Sequence, residues 1–338
     1  MYKKLLIYTL LSLFCITGKA QQAPLYSQYI LNEFIINPSV AGIDGMTVFN
    51  LSGRKQWLGY EYGPETYSAS FSARLLKSDN TIIGRTQTLN RSRIKRGATG
   101  RVGLGASFAN DQNGAVDRTT LNLSYAYHIR MYNSQLSFGL SLQGQQFKIN
   151  PELAEFRTHD GFDIDPLSGL LGKSAYIPDA AFGVHYSTKN YSFGMAAMNL
   201  FQSPIKFGDI GTGFEELKQI RQYYYHGAYK NFLTGRPDWQ IEPSAVIRMT
   251  EGLQVSADLS IRFIYNNEYW AGASLRTSGE IIVLMGLKFN RMYFGYSFDY
   301  GFYDIYNDKN NLVWGSHEAV LAVKLGDSNR RYRYWERY

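Results

Sequence analysis

The chain has 338 residues, 15% of them aromatic and 19% charged, with a formal net charge of +7 and a mean hydropathy of −0.28. That hydropathy excludes a bundle of membrane helices, each of which needs about 20 consecutive apolar residues. The wealth of aromatic and branched side chains excludes disorder, and the length allows either two soluble domains or one β-barrel.

The first twenty residues predict a secretory signal peptide. Lys3 and Lys4 are followed by an apolar run from Leu5 to Thr17, and Gly18-Lys19-Ala20 supplies small residues at the cleavage-determining positions. Cys15 lies inside the apolar run behind Phe14, which disfavours a lipid-attachment site. Cleavage after Ala20 leaves a chain from Gln21 without cysteine, hence without disulfides, a thiol nucleophile or a Cys-based zinc site. It also lowers the formal charge from +7 to +4, which gives no argument for nucleic acid.

From residue 45 onward the dominant signal is a period of two. Leu253, Val255, Ala257, Leu259, Ile261 and Phe263 alternate with Gln254, Ser256, Asp258, Ser260 and Arg262. Leu121 to Ile129, Leu136 to Leu142 and Met292 to Tyr300 repeat the pattern. The segments run to about 9–13 residues, which suits a tilted membrane strand better than the usual 5–6 of a globular one. The opposite face carries Gly, Ser and single charges such as Arg74, Asp258, Arg262 and Asp299. A water-filled or side-chain-filled lumen tolerates these, whereas a dry sandwich core does not. Aromatic residues recur near segment ends, where interfacial girdles sit.

The expectation is therefore an all-β transmembrane antiparallel β-barrel over 45–326. About fourteen strands are predicted, near 45–55, 65–76, 99–109, 118–130, 134–148, 179–188, 190–200, 221–233, 238–249, 252–264, 267–277, 279–289, 291–301 and 316–326; twelve is the alternative. Lipid forbids open edges, so the sheet must close.

Residues 21–44, ahead of strand 1, are too irregular for a strand and too short for a domain. They are expected in the lumen or against its periplasmic mouth. If strand 1 starts in the periplasm, the long gaps 149–178, 201–220 and 302–315 fall outside and the Asn-rich short turns fall inside, as bacterial barrels have it. One inner gap, 77–98, is long and basic. Arg85, Arg91, Arg93, Lys95 and Arg96 make it a candidate docking loop for an acidic periplasmic partner. The tail 327–338 is basic and aromatic.

No catalytic constellation stands out. The five histidines, His128, His159, His185, His226 and His317, show no zincin spacing. His128 and His185 fall on lumen faces. Gly103 and Gly105 belong to a strand, not to a phosphate loop. His159 to Asp165 reads as a polar turn rather than a calcium loop. No catalytic, cofactor-binding or metal-ligating residue is expected, and no nucleic-acid contact.

Gln28-Tyr29-x-x-Asn32 and Asn37-Pro38-Ser39-Val40-Ala41-Gly42 resemble the opening signature of the PorP/SprF family of Bacteroidota outer-membrane proteins. Arg54-Lys55-Gln56-Trp57 resembles that family's Arg-x-Gln-Trp element, and Pro64 to Ser68 its next strand opening. Further similarity lies at Asn110-Asp111, Gly114, Ser124 to Tyr127, Pro178-Asp179, Phe182 to Val184, Tyr186 and Asn199-Leu200. Ser39 stands where many members have Ala. The resemblance implies a role beside the type IX secretion system: supporting secretion of large surface proteins, adhesins among them, that carry a type IX C-terminal domain, and holding them at the cell surface. Some members are linked to gliding motility and some to periplasmic secretion components. Gln28, Tyr29, Asn32, Asn37, Pro38, Gly42, Gln56 and Trp57 are the motif residues, with a structural or a partner-contacting role.

The sequence thus points to a non-enzymatic outer-membrane barrel, in contact with lipid, that supports type IX secretion and surface anchoring of a partner. The alternatives are a passive channel or porin and, third, a membrane enzyme acting on lipid through His128 or His185.

Overall fold

The computed structural model describes residues 26–60, 63–75, 101–150, 172–205, 218–252, 254–301 and 315–326. Ahead of the sheet, three short helical turns, Tyr29–Asn32, Glu33–Ile36 and Pro38–Val40, follow one another. The strands are β1 (Thr47–Lys55), β2 (Glu65–Leu75), β3 (Val102–Asn113), β4 (Val116–Arg130), β5 (Ser134–Ile149), β6 (Ser174–Thr188), β7 (Tyr191–Met198) and β8 (Gln222–Tyr229). They continue with β9 (Asn231–Leu233), β10 (Arg236–Thr250), β11 (Val255–Tyr265), β12 (Tyr269–Arg276), β13 (Glu280–Phe289), β14 (Met292–Gly301) and β15 (Ser316–Leu325).

All pairings are antiparallel and join strands adjacent in sequence, except that β8 pairs with β10 rather than β9, and β1 also pairs with β15, so the sheet closes on itself. β8 and β9 both lie on β10 and form one interrupted strand, which makes a barrel of fourteen. The interruption has a local cause. Pro243 of β10 falls between the β8 register, which begins at Ser244↔Ala228, and the β9 register at Ile241↔Asn231. Proline has no N–H for the ladder, and the ladder breaks there.

The outward face is greasy all the way round. Leu142, Leu275, Leu259, Leu140 and Leu51 are among many large apolar side chains that point away from the barrel, Leu142 with 71% exposure. An apolar surface of this extent is stable only against hydrocarbon. Inward positions are Ser, Asn, Gln, Gly and charged residues, as the alternation predicts.

The barrel has two unlike ends. Where β1 begins, five of the six connections are turns of two or three residues. Asn266, Asn267 and Asn290 adopt positive φ in these turns, a conformation that asparagine tolerates. Tyr191, Tyr229, Tyr265, Tyr269 and Phe289 ring that end. Where β1 finishes, the longer connections gather, 150–173, 199–221 and 302–315.

Besides the strand expected at 221–233, which is split into β8 and β9, two strands run furthest beyond their sequence reading. β3 continues to Asn113, four residues beyond the expected end, and meets β4 through Gly114-Ala115 alone. β6 starts at Ser174 rather than 179. Both differences arise where β3–β6 rise past the apolar band. On the outward side, Asn110, Asp117, Thr119 and Gln146 replace leucines, and Asn110 Nδ2 donates to Asp117 Oδ1 (2.7 Å) and Thr119 Oγ1 (3.0 Å). The apolar period fades because there is no lipid to face. Pro178 is tolerated in β6 because β7 pairs only from Phe182↔Ala197 onward, and the chain beside Pro178 is the irregular 199–203, whose Ser203 hydroxyl donates to Pro178 O (2.5 Å). Residues 143–149 of β5 extend this wall by roughly 20 Å along the strand, at ~3.3 Å per residue.

The signal-peptide region, the basic loop residues Arg85, Arg91, Arg93, Lys95 and Arg96, the His159–Asp165 stretch and the tail 327–338 lie outside the described residues.

Candidate functional site

The lumen is filled by the chain's own N-terminal segment. This segment crosses the whole barrel: Ser27 sits at the long-connection end, and Asp44 reaches the opposite end, where its carboxylate pairs with Lys324 at 2.8 Å. Between them nearly every residue is buried, including Gln28, Asn32, Glu33, Asn37 and Ser39.

At the long-connection end a belt of buried charges grips Ser27. Arg54 contacts Asp299 (2.7 Å) and Glu318 (3.3 Å); Arg276 contacts both oxygens of Asp258 (2.9 and 3.1 Å), Glu280 and Asp299 (3.5 Å); Arg248 contacts Asp258 (2.8 Å). Three guanidinium groups thus meet four carboxylates contributed by β1, β10–β15. Buried ions are stable only when paired and hydrogen-bonded, and Ser27 completes the set. Its N–H donates to Glu318 Oε2 (2.7 Å), its hydroxyl donates to Asp299 Oδ2 (2.6 Å), and Arg54 Nη1 donates to its Oγ (2.7 Å). A second pair, Arg262 with Glu242 at 2.5 Å, lies deeper in the lumen.

In mid-barrel the segment supplies an apolar filling. Tyr26, Tyr29, Ile30 and Ile36 pack with Ala196, Tyr224 and Val246; Leu31 joins Ile264, Trp270, Tyr293, Val320 and Ala322; Phe34 meets Ala126. Polar groups are matched to the wall. Gln28 Nε2 donates to Tyr296 O (2.9 Å), Tyr29 OH donates to Ser244 Oγ (3.2 Å), and Asn32 Oδ1 accepts from Ser70 Oγ (3.0 Å).

The lumen-facing glycines trace the path of this segment. A Cβ built on Gly103 would lie 2.0 Å from Ala41 O, on Gly105 2.4 Å from the Phe34 ring, on Gly139 2.2 Å from Ser39 N and on Gly295 2.5 Å from Leu31 Cδ1. No side chain fits at those distances, so the wall is glycine where the plug's backbone and rings approach. Gly42 has φ +67°, and a Cβ there would meet Ala73 O at 2.7 Å.

Asn37-Pro38 is the pivot of the plug. Asn37 caps the Pro38–Val40 turn, its Oδ1 accepting from Ser39 N (3.0 Å) and Ser39 Oγ (2.6 Å), with proline at the first position. Its Nδ2 donates to Val184 O (3.2 Å) and Met195 O (3.4 Å) and lies 3.1 Å from His226 Nε2. His128 is held between Ser137 Oγ (2.8 Å) and Ala41 O (2.9 Å).

Six of the eight motif residues therefore belong to the plug: Gln28, Tyr29, Asn32, Asn37, Pro38 and Gly42. Gln56 and Trp57 do not join them. They sit on the β1–β2 connection at the long-connection end, where Gln56 N donates to Pro64 O (2.8 Å) and Trp57 N to Ser316 Oγ (3.3 Å). The structure also brings together a group that spacing did not reveal. Glu33, His185 and His226, all buried, place ligand-type atoms within 4.8 Å of one another. The lumen-facing parity of His185 was the one available signal.

The sequence matches, over residues 18–323, the family model described as type IX secretion system membrane protein PorP/SprF. None of the curated proteins compared with it matches. Among solved structures, the chain is similar to the Ralstonia pickettii toluene transporter TbuX, at 11% identity over 86% of this chain and 92% of that one, with a TM-score of 0.49. The TodX deltaS2S3 mutant monoaromatic hydrocarbon channel follows at 11%, 88%, 94% and 0.48, and the Acinetobacter baumannii outer membrane protein Omp33 at 9%, 84%, 100% and 0.41. The family match takes in the plug and the strands β1–β14 alike, so the chain belongs to the PorP/SprF family of type IX secretion membrane proteins and is an outer-membrane β-barrel.

Proposed function

We propose that this protein is a closed, non-enzymatic scaffold that supports type IX secretion and holds a secreted partner, such as an adhesin, at the cell surface. The observation that carries the reading is the occupied lumen. A barrel whose interior is filled by its own N-terminal segment, bonded to the wall from end to end, offers interaction surface rather than an aqueous path. This weighs against the passive channel. It weighs equally against lipid chemistry at His128, whose two ring nitrogens are both engaged within the lumen.

In this reading the long-connection end faces outward, consistent with short periplasmic turns and long outer loops. The polar wall of β3–β6 beyond the apolar band, together with Trp57 and Tyr60 packed edge-to-face at 6.4 Å, supplies a platform for the partner. Aromatic anchors within a polar rim are what protein interfaces favour. The partner carries a type IX C-terminal domain, and periplasmic secretion components meet the opposite end.

The experiment is deletion of the gene with surface labelling of the secreted partner. The partner is expected to vanish from the cell surface and to appear in the medium or remain inside the envelope. Undiminished surface display in the deletion strain contradicts the proposal.

A further inference from the structure

We propose that Glu33, His185 and His226 bind one divalent transition-metal ion of the zinc class, clipping the plug to two strands of the wall. The three residues come from three parts of the fold: Glu33 from the plug, His185 from β6 and His226 from β8. All are at least nine-tenths buried, at 6%, 0% and 2% exposure.

Two imidazole nitrogens and one carboxylate oxygen form a ligand set that suits zinc and ferrous ions, with one or more positions left for water. The dimensions agree. Two atoms each ~2.1 Å from a tetrahedral ion stand about 3.4 Å apart. His226 Nδ1 and Glu33 Oε1 are separated by 4.0 Å. All three ligand atoms lie within 4.8 Å of one another, so shortening the widest pair by at most about 1.4 Å, shared between two side chains, gathers them on one ion. The two imidazole rings stack at 5.6 Å with 24° between their planes.

Nδ1 is the His226 nitrogen that faces Glu33, so an ion there leaves the ring proton on Nε2, and the Asn37 amide 3.1 Å away turns its oxygen from Ser39 to accept it. Gly194 leaves the space that His226 occupies, since a Cβ there would lie 2.2 Å from Nε2. An ion at this point joins the plug to the wall by bonds stronger than the hydrogen bonds around it, so metal supply would set how firmly the lumen is closed. The inference does not depend on which partner the barrel serves.

The test uses untagged full-length protein, stripped with a chelator in detergent and titrated with Zn²⁺ or Co²⁺. One equivalent of Zn²⁺ is expected to remain after dialysis, and Co²⁺ is expected to give a visible absorption band of a low-coordinate histidine–carboxylate site. Glu33→Gln and His185→Gln each weaken binding by more than about 100-fold, exceeding the usual effect of losing an outer-shell partner. His317→Gln, outside the lumen, leaves it unchanged. Absence of saturable uptake by the unmodified protein overturns the inference whatever the variants do. Undiminished binding in both ligand variants, shown to be folded by their gel mobility without heating, overturns it too.

Discussion

Removing residues 26–44 opens the barrel. The full chain is expected to carry no steady current in a planar bilayer, and the shortened chain an ohmic one. The reasoning is geometric. A barrel of about eight strands is just filled by its own side chains, and 16–18 strands leave a water-filled channel. Fourteen strands exceed what wall side chains alone can fill, and here the plug supplies the remainder through Tyr26, Tyr29, Leu31, Phe34 and Ile36. Its removal uncovers Ser, Gln and Asn beside the wall glycines, which water solvates readily, together with apolar patches around Val246 and Trp270. Small-solute permeability in liposomes should rise with it, as a plugged lumen becomes a water-filled one. Steady conduction by the full chain would show that the plug leaves a path.

Arg276→Met should cost the folded barrel about 3–5 kcal/mol, the usual effect of taking one partner from a buried ion pair. Arg276 is 3% exposed and meets three carboxylates, Asp258, Glu280 and Asp299. Without it, Asp258 keeps only Arg248, and Asp299 and Glu318 compete for Arg54. Ser27 also loses a donor, since Arg276 Nη2 reaches its Oγ at 3.2 Å. Lys55→Met provides the contrast. The Lys55–Glu65 pair at 2.5 Å is exposed, with Lys55 46% accessible, and its loss should change stability by under ~1 kcal/mol. Denaturant unfolding followed by mobility on unheated gels measures both. Equal effects of the two substitutions would mean that the belt is solvated and the lumen wet.

The strands were legible because lipid on one side and a polar interior on the other impose a strict period of two. Where the lipid ends, legibility ends with it: Asn110 to Asn113 read as a loop, yet they continue β3. The strand expected from 179 starts before Pro178, which stands where β6 has no second strand beside it. The charges Asp258, Arg262 and Asp299 were placed on the lumen face by parity. Their partners were not readable, because Arg54 and Glu318 are 264 positions apart and only barrel closure joins them. The same holds for Glu33, His185 and His226, whose separation resembles no metal motif. The irregular segment before β1 was recognisable as neither strand nor domain. Its path through the full lumen was written only in the wall's glycines, which read as ordinary strand positions until the plug is seen 2–3 Å from where their side chains would be.

The seating of the plug is tested most directly by cross-linking within the intact membrane. Asn32 Oδ1 and Ser70 Oγ are 3.0 Å apart, one on the plug and one on β2. In a Cys15→Ser background, Asn32→Cys with Ser70→Cys should join under mild oxidation or a short bis-thiol linker in whole cells, and neither thiol should react with a water-soluble maleimide. Free labelling of both thiols, with no cross-link, would contradict a lumen closed by its own N-terminal segment.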